Sequence, residues 1–244
     1  MAKKIQNLFL IGGGVMRNDE TVNLDKWLVK RATKQGNKPK VLLVPTASKD
    51  LGEYIADFSN RYISYGAKVE VLLLANEVPP RFAVKEKILS ADIIYFGGGD
   101  MDFAFSKFRK YNLVCMLEIA IKKGALVGGL SAGAAMFAKL FLDFEWNGLD
   151  FVNFRLNKGY GWVDYLIWTH FSKGFLKNKK AIAVLPKNKQ ILTIGDGTLV
   201  YWDKNLNMKA IKNNNKGSCV VGSFIGSKFN LEFAPQIENV NRNI

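Results

Sequence analysis

The chain has one histidine, His170, and only two cysteines, Cys115 and Cys219, in 244 residues. That supply argues against a zinc site, because the usual His and Cys clusters are missing. A disulfide framework is excluded. Both cysteines lie in apolar surroundings, LVCML and SCVVG, and read as buried structural thiols. No apolar run approaches the roughly 18 residues that a membrane-spanning helix needs. The basic start, Met1 to Lys4, is not followed by an apolar core with a small-residue cleavage site, so a cytoplasmic protein is expected. Arginine is scarce as well: the net charge of +14 comes from 28 Lys against 7 Arg, scattered rather than clustered. With no aromatic-and-glycine signature of an RNA-binding sheet, this reads as a solvated basic surface, with neither nucleic acid nor membrane as partner. There is no G-x-G-x-x-G dinucleotide fingerprint and no G-x-x-x-x-G-K-[ST] phosphate loop. No repeat or long linker interrupts the chain, so residues 1–244 are read as one domain.

What is present is a regular alternation. NLFLI (7–11), KVLLVPTAS (40–48), AKVEVLLL (67–74), ADIIYFGGG (91–99) and ALVGG (125–129) read as strands. Helical stretches fall between them, near 19–35, 51–65, 83–89, 101–110 and 113–123. Continuous apolar strands alternating with helices predict an α/β fold with a mostly parallel sheet and helices on both faces. Past residue 140 the pattern changes. YLIWTHF (165–171) reads as a strand, QILTIGDGTLVYWD (190–203) as a hairpin-like pair across Gly195–Gly197, and 204–222 as a polar hairpin. Together they suggest a small antiparallel C-terminal extension, with a frayed tail from Asn239.

In such a sheet the chemistry collects where parallel strands end. Three glycine-bearing loops sit at those ends. Gly12-Gly13-Gly14 reads as a turn that needs glycine conformations. The FGGGD loop (96–100) leaves backbone N–H groups open near Gly98 and Gly99, as an oxyanion hole requires. Gly129-Leu130-Ser131-Ala132-Gly133 fits G-x-S-x-G in a strand, turn, helix context, which presents Ser131 as a nucleophile and the Ala132 N–H as a donor to an anion. A serine needs a base, and His170 is the one histidine on offer. The base needs an acid to hold its tautomer. Asp196, between glycines at a strand end, suits that role; Asp143 and Asp164 compete from segments that read as exposed. The order Ser, His, Asp differs from the usual α/β-hydrolase order and disfavours a lipase-like enzyme.

The run IYFGGGDMDFAF … GALVGGLSAGAAMF … THFSKG … TIGDGTLVY, within roughly residues 5–203, resembles the serine peptidases of the aspartyl dipeptidase (peptidase E) and cyanophycinase family. The resemblance implies a class I glutamine amidotransferase-like, flavodoxin-like fold. It implies Ser131 as nucleophile, His170 as general base, Asp196 as the acid, and Gly98, Gly99 and Ala132 as the oxyanion region. Asp100 and the HFS segment (170–172) resemble the cyanophycinase branch. That branch places arginines shortly after HFS, whereas here no arginine occurs from 156 to 241. A substrate carboxylate would then fall to Lys173 or Lys177, with Asp100 as a further substrate-binding residue. The expected activity is hydrolysis of short peptides through an acyl-enzyme, without metal or organic cofactor, in a family where homodimers are common. Two rivals stand beside it: a non-catalytic relative acting as a binding or regulatory domain, and a glutamine amidotransferase, which Ser131 in place of cysteine disfavours.

Overall fold

The computed structural model describes residues 6–34, 37–148, 150–187, 189–203, 205–213, 217–225 and 228–238. The first half contributes β1 (Leu8–Ile11), β2 (Lys40–Val44), β3 (Lys68–Val71), β4 (Ile93–Phe96) and β5 (Leu126–Leu130), interleaved with α1 (Val22–Ala32), α2 (Gly52–Ser64), α3 (Arg81–Ser90), α4 (Met101–Tyr111) and α5 (Leu113–Lys122). All five strands run parallel, in the order β1-β5-β4-β2-β3. Apart from the edge strand β3, their residues are almost all buried on both faces, because helices cover both. Along β1, Leu8 and Leu10 join the core under α3, α4 and α5, while Phe9 and Ile11 join the one under α1 and α2. That is the two-residue period of a strand expressed as two cores.

After β5 come α6 (Ala132–Ala135), β6 (Ala138–Trp146), β7 (Phe151–Lys158), β8 (Val163–Trp168), α7 (Lys179–Val184), β9 (Ile191–Ile194), β10 (Thr198–Trp202), β11 (Met208–Lys212), β12 (Cys219–Ile225), β13 (Lys228–Phe233) and β14 (Gln236–Glu238). Among the described residues these strands divide between two sheets. β10, β11 and β14 extend the parallel sheet beyond β1, with β10 antiparallel to it, to give eight strands. The remainder form a six-stranded sheet, β13-β12-β9-β8-β6-β7. Phe137, Phe141, Ile167, Leu192 and Val221 from that half join Leu8, Leu10, Val200 and Trp202 in one core, so the two sheets share an interior.

The parallel α/β sheet expected from the sequence is there, and the later half departs in detail. The stretch 190–203 is not a hairpin: β9 pairs with β8 and β12 in one sheet, and β10 pairs with β1 and β11 in the other. The 204–222 stretch divides in the same way between β11 and β12. Strands β6 and β7 were not read from the sequence at all, and the helix after Ser131 is only the four residues of α6. Cys219 is buried but Cys115 is exposed. The helical period decides the latter, since Leu113, Met116, Leu117 and Ala120 take the inner face of α5 and leave Cys115 outward despite its apolar neighbours. The tail from Asn239 lies outside the described residues. Among the described residues no helix is long and apolar enough to cross a membrane.

Candidate active site

Because β1, β5 and β4 are parallel neighbours, the loops after Ile11, Leu130 and Phe96 leave the sheet at one edge. Ser131 follows β5 and caps α6 with a backbone at φ 57°, ψ −118°. A non-glycine residue in that region costs of the order of 1–3 kcal/mol and is held by its surroundings. Here the Ser131 N–H donates to the Ile11 carbonyl at 2.9 Å, and its carbonyl accepts from Ala134 and Ala135 at 3.0 and 2.9 Å. The flanking glycines serve space rather than torsion. A Cβ on Gly129 or Gly133 would run into the Phe96 carbonyl, so the two glycines let α6 lie tight against β5 and β4.

His170 comes from the other sheet. β8 and β9 are parallel with Trp168 opposite Thr193, so the residues just past both strands emerge at the same end. His170 lies two residues beyond Trp168, and Asp196 lies in the passage from β9 to β10. His170 also has a positive φ, 54°. Its Nδ1 is 2.7 Å from Asp196 Oδ1, and its Nε2 is 2.7 Å from Ser131 Oγ. A carboxylate only accepts, so Nδ1 carries the proton. Nε2 is then left as the acceptor for the serine hydroxyl. The imidazole is mostly buried and its carboxylate partner is more than half exposed, at 22% and 56%.

The glycine triplet after β1 is what sequence reasoning undervalued. The Gly12 carbonyl accepts from the His170 N–H at 3.1 Å, and the Gly13 carbonyl accepts from the Gly197 N–H at 2.9 Å. A Cβ on Gly13 would overlap both Asp196 Oδ1 and the His170 ring, and one on Gly12 would overlap the Ile194 and Gly195 carbonyls. Of the three, Gly14 alone has a positive φ, 132°. Gly12 and Gly13 are small so that His170 and Asp196 can seat against them. The available signal was their position at the strand end facing the same edge as Ser131.

The other residues singled out from sequence divide. Gly98 lies against the serine, a Cβ there being 3.2 Å from Ser131 Cβ. Gly99 combines φ 133° with backbone packed against the Ala47 carbonyl, which leaves room for glycine alone. Ala132 opens α6, so its N–H is one of the donors a helix start leaves unpaired within itself. Asp100 is spent on structure: its Oδ1 accepts from the Phe103 N–H at 3.0 Å and caps α4. Lys177 is exposed in the 3-10 turn Lys173–Lys177, and the Lys173 side chain lies outside the described part. Of the competing acids, Asp143 is taken by Arg155 Nε at 2.8 Å and Asn157 Nδ2 at 2.9 Å. Asp164 pairs with Lys139 at 3.3 Å. Phe144 and Phe151, which no motif flagged, set their rings 6.1 and 5.8 Å from the imidazole, shielding it from the side of β6 and β7. No metal-binding group of three or more His, Cys, Asp or Glu occurs among the described residues.

The model of peptidase family S51 matches residues 8–207, most of the chain and the whole of this site. The chain belongs to peptidase family S51. It is thereby a member of a serine peptidase family, in keeping with the peptidase E resemblance of its motifs. Among curated proteins, this S51 member is 28% identical over 123 residues to the uncharacterized peptidase YgaJ of Bacillus subtilis (strain 168). That match spans about half of each protein, 50% of this chain and 52% of the relative. Among solved structures, a peptidase from an acI-B1 Actinobacterium superposes with a TM-score of 0.68 at 20% identity, over 94% of this chain and 95% of that one. A candidate peptidase E from Listeria monocytogenes EGD-e gives 0.60 at 18% identity, over 91% and 100%. At those identities the likeness is one of fold.

Proposed function

We propose that the protein is a serine peptidase of short peptides working through Ser131, His170 and Asp196 and a covalent acyl-enzyme. The observation that carries this reading is the unbroken chain of two 2.7 Å contacts from Ser131 Oγ through His170 to Asp196. As Ser131 attacks the scissile carbonyl, His170 Nε2 takes the hydroxyl proton, and Asp196 stabilises the imidazolium that forms. The negative charge on the tetrahedral oxygen is met by backbone N–H groups at Gly98, Gly99 and Ala132. His170 then hands its proton to the leaving amine, the acyl-serine remains, and water activated by the same Nε2 releases the acid. No metal or organic cofactor enters these steps.

An aspartyl preference, which the resemblance implies, needs a cation to pair with the substrate carboxylate. Lys177 is the exposed candidate after His170, and it offers a point charge rather than a bidentate clamp. The test is a dipeptide library containing α-aspartyl, β-aspartyl, neutral and basic first residues, read by mass spectrometry for the wild type and Ser131→Ala. Turnover that vanishes in Ser131→Ala supports the mechanism. Turnover unchanged in Ser131→Ala overturns it. Binding without turnover by the wild type would favour a non-catalytic binding domain, and ammonia release from glutamine an amidotransferase.

A further inference from the structure

A cleft of about 280 Å³ opens beside the nucleophile, lined on the near side by Leu130, the residue before Ser131, and by Gly14, next to the seat of His170. The far side is α2 with the residue before it: Leu51, Tyr54, Glu53 and Asp57. Arg17 lies in the same lining, its guanidinium bonded to Glu53 Oε2 at 3.1 Å and to the Asp57 carboxylate. One cation against two carboxylates leaves the cleft with a net negative charge, in a chain whose overall charge is +14. The local sign therefore opposes the sign of the whole surface. The Tyr54 hydroxyl, buried against Gly97 in the loop that carries Gly98, has no hydrogen-bond partner among the described residues.

Resting on the peptidase reading above, we propose that this cleft is a specificity pocket for a side chain next to the scissile bond, and that it selects a basic residue over an acidic one. The Leu51 and Leu130 side chains and the Tyr54 ring suit the aliphatic stem of lysine or arginine, which packs on apolar surface while its charged end stays polar. The head group reaches Glu53 and Asp57, which Arg17 holds in place and partly neutralises. An aspartyl side chain would have to displace one of those carboxylates from Arg17 and then sit against it.

Affinities are measured by calorimetry on the Ser131→Ala protein, which reads the pocket without turnover. The probes are Lys-Ala and Ala-Lys, their norleucine counterparts, which keep the stem and lose the charge, and their aspartyl counterparts. Hydrolysis of the same set by the wild type is followed alongside. In one position, lysine is expected to bind about threefold tighter than norleucine, the scale of a solvent-facing ion pair. Aspartate is expected to bind more weakly than norleucine. The lysine-to-norleucine ratio falls towards one in Glu53→Gln and Asp57→Asn, and rises in Arg17→Ala. Aspartate binding tightest, lysine equal to norleucine, no binding of any probe, or a ratio that ignores these three variants each overturns the pocket. A lysine preference in binding with no hydrolysis by the wild type supports the pocket and overturns the peptidase reading instead.

Discussion

Ser131 and His170 share one hydrogen bond, yet they arrive from regions built on different rules. Residues 8–130 form a parallel sheet in which each strand is followed by its helix. The chemistry there lies in loops that any such sheet puts at one edge. The region from 138 to 225 combines one local pair, β6 with β7, with pairings between strands farther apart in sequence, and the chain passes between sheets just where Asp196 sits, and again between β11 and β12. The first region supplies Ser131 and the glycine loops beside it as local motifs. The second supplies His170 and Asp196 as single side chains, whose meeting with Ser131 depends on how the two sheets share a core. Gly12 and Gly13 are the hinge of the comparison, since they belong to the first region by sequence and hold the residues of the second.

The widest gap between the regions should appear in Asp196→Asn. It removes the tautomer-setting carboxylate while leaving both sheets untouched, and a loss in kcat of about 10⁴-fold is expected with little change in melting temperature. Steady-state kinetics beside thermal melts would decide it, and a variant within a few-fold of wild type would remove Asp196 from the mechanism. Gly13→Ala acts on the seam. Its Cβ would displace the His170–Asp196 pair, and a misplacement of this kind costs on the order of 10² in kcat. Near-normal rates would mean that the loop yields without disturbing the pair.

Gly133→Ala tests the first region by itself. The added methyl meets the Phe96 and Gly97 backbone, and the expected loss is about 1–3 kcal/mol in urea unfolding, as for an overpacked core. An unchanged midpoint would show that α6 is not held tightly against β4. The smallest effect concerns Asp25, wholly buried beneath the parallel sheet and accepting from Thr21 Oγ1 and Tyr62 Oη at 2.8 Å each. Burial outweighs both hydroxyls and pushes its carboxyl up to about 7. The folded protein thus keeps a proton that the unfolded chain sheds above about pH 4. Stability from this group is fully present below that pH and is lost as pH rises through about 7. Asp25→Asn, which cannot ionise, should lose less stability than wild type between pH 5 and pH 8. Parallel losses in urea midpoints would show that this burial is not felt.

Much of the first region could be read directly. The five parallel strands and the helices between them follow from apolar runs and from glycines at strand ends, and Ser131 follows from its strand, turn, helix setting. Beyond it the residues themselves offered one histidine and an aspartate between glycines, and the peptidase E resemblance grouped both with Ser131. That QILTIGDGTLVYWD would divide between two sheets was not legible, because two short apolar runs across a glycine turn look alike whether or not they pair. Lysines after His170 drew attention for their charge, while Arg17, Glu53 and Asp57 did not, because they come together only through the packing of α2 beside the loop after β1.

By itself, then, the sequence determined the parallel α/β layout, the serine elbow with its neighbouring glycine loop, and membership of a serine peptidase family. These rest on local patterns, a strand's two-residue period, a helix's 3.6-residue period, and small residues where backbones approach. The tertiary structure decided the geometry in which His170 and Asp196 meet Ser131, that Gly12 and Gly13 make room for them, and that Phe144 and Phe151 shield the imidazole. Each of those depends on how the two sheets share one interior, which is a property of the whole chain.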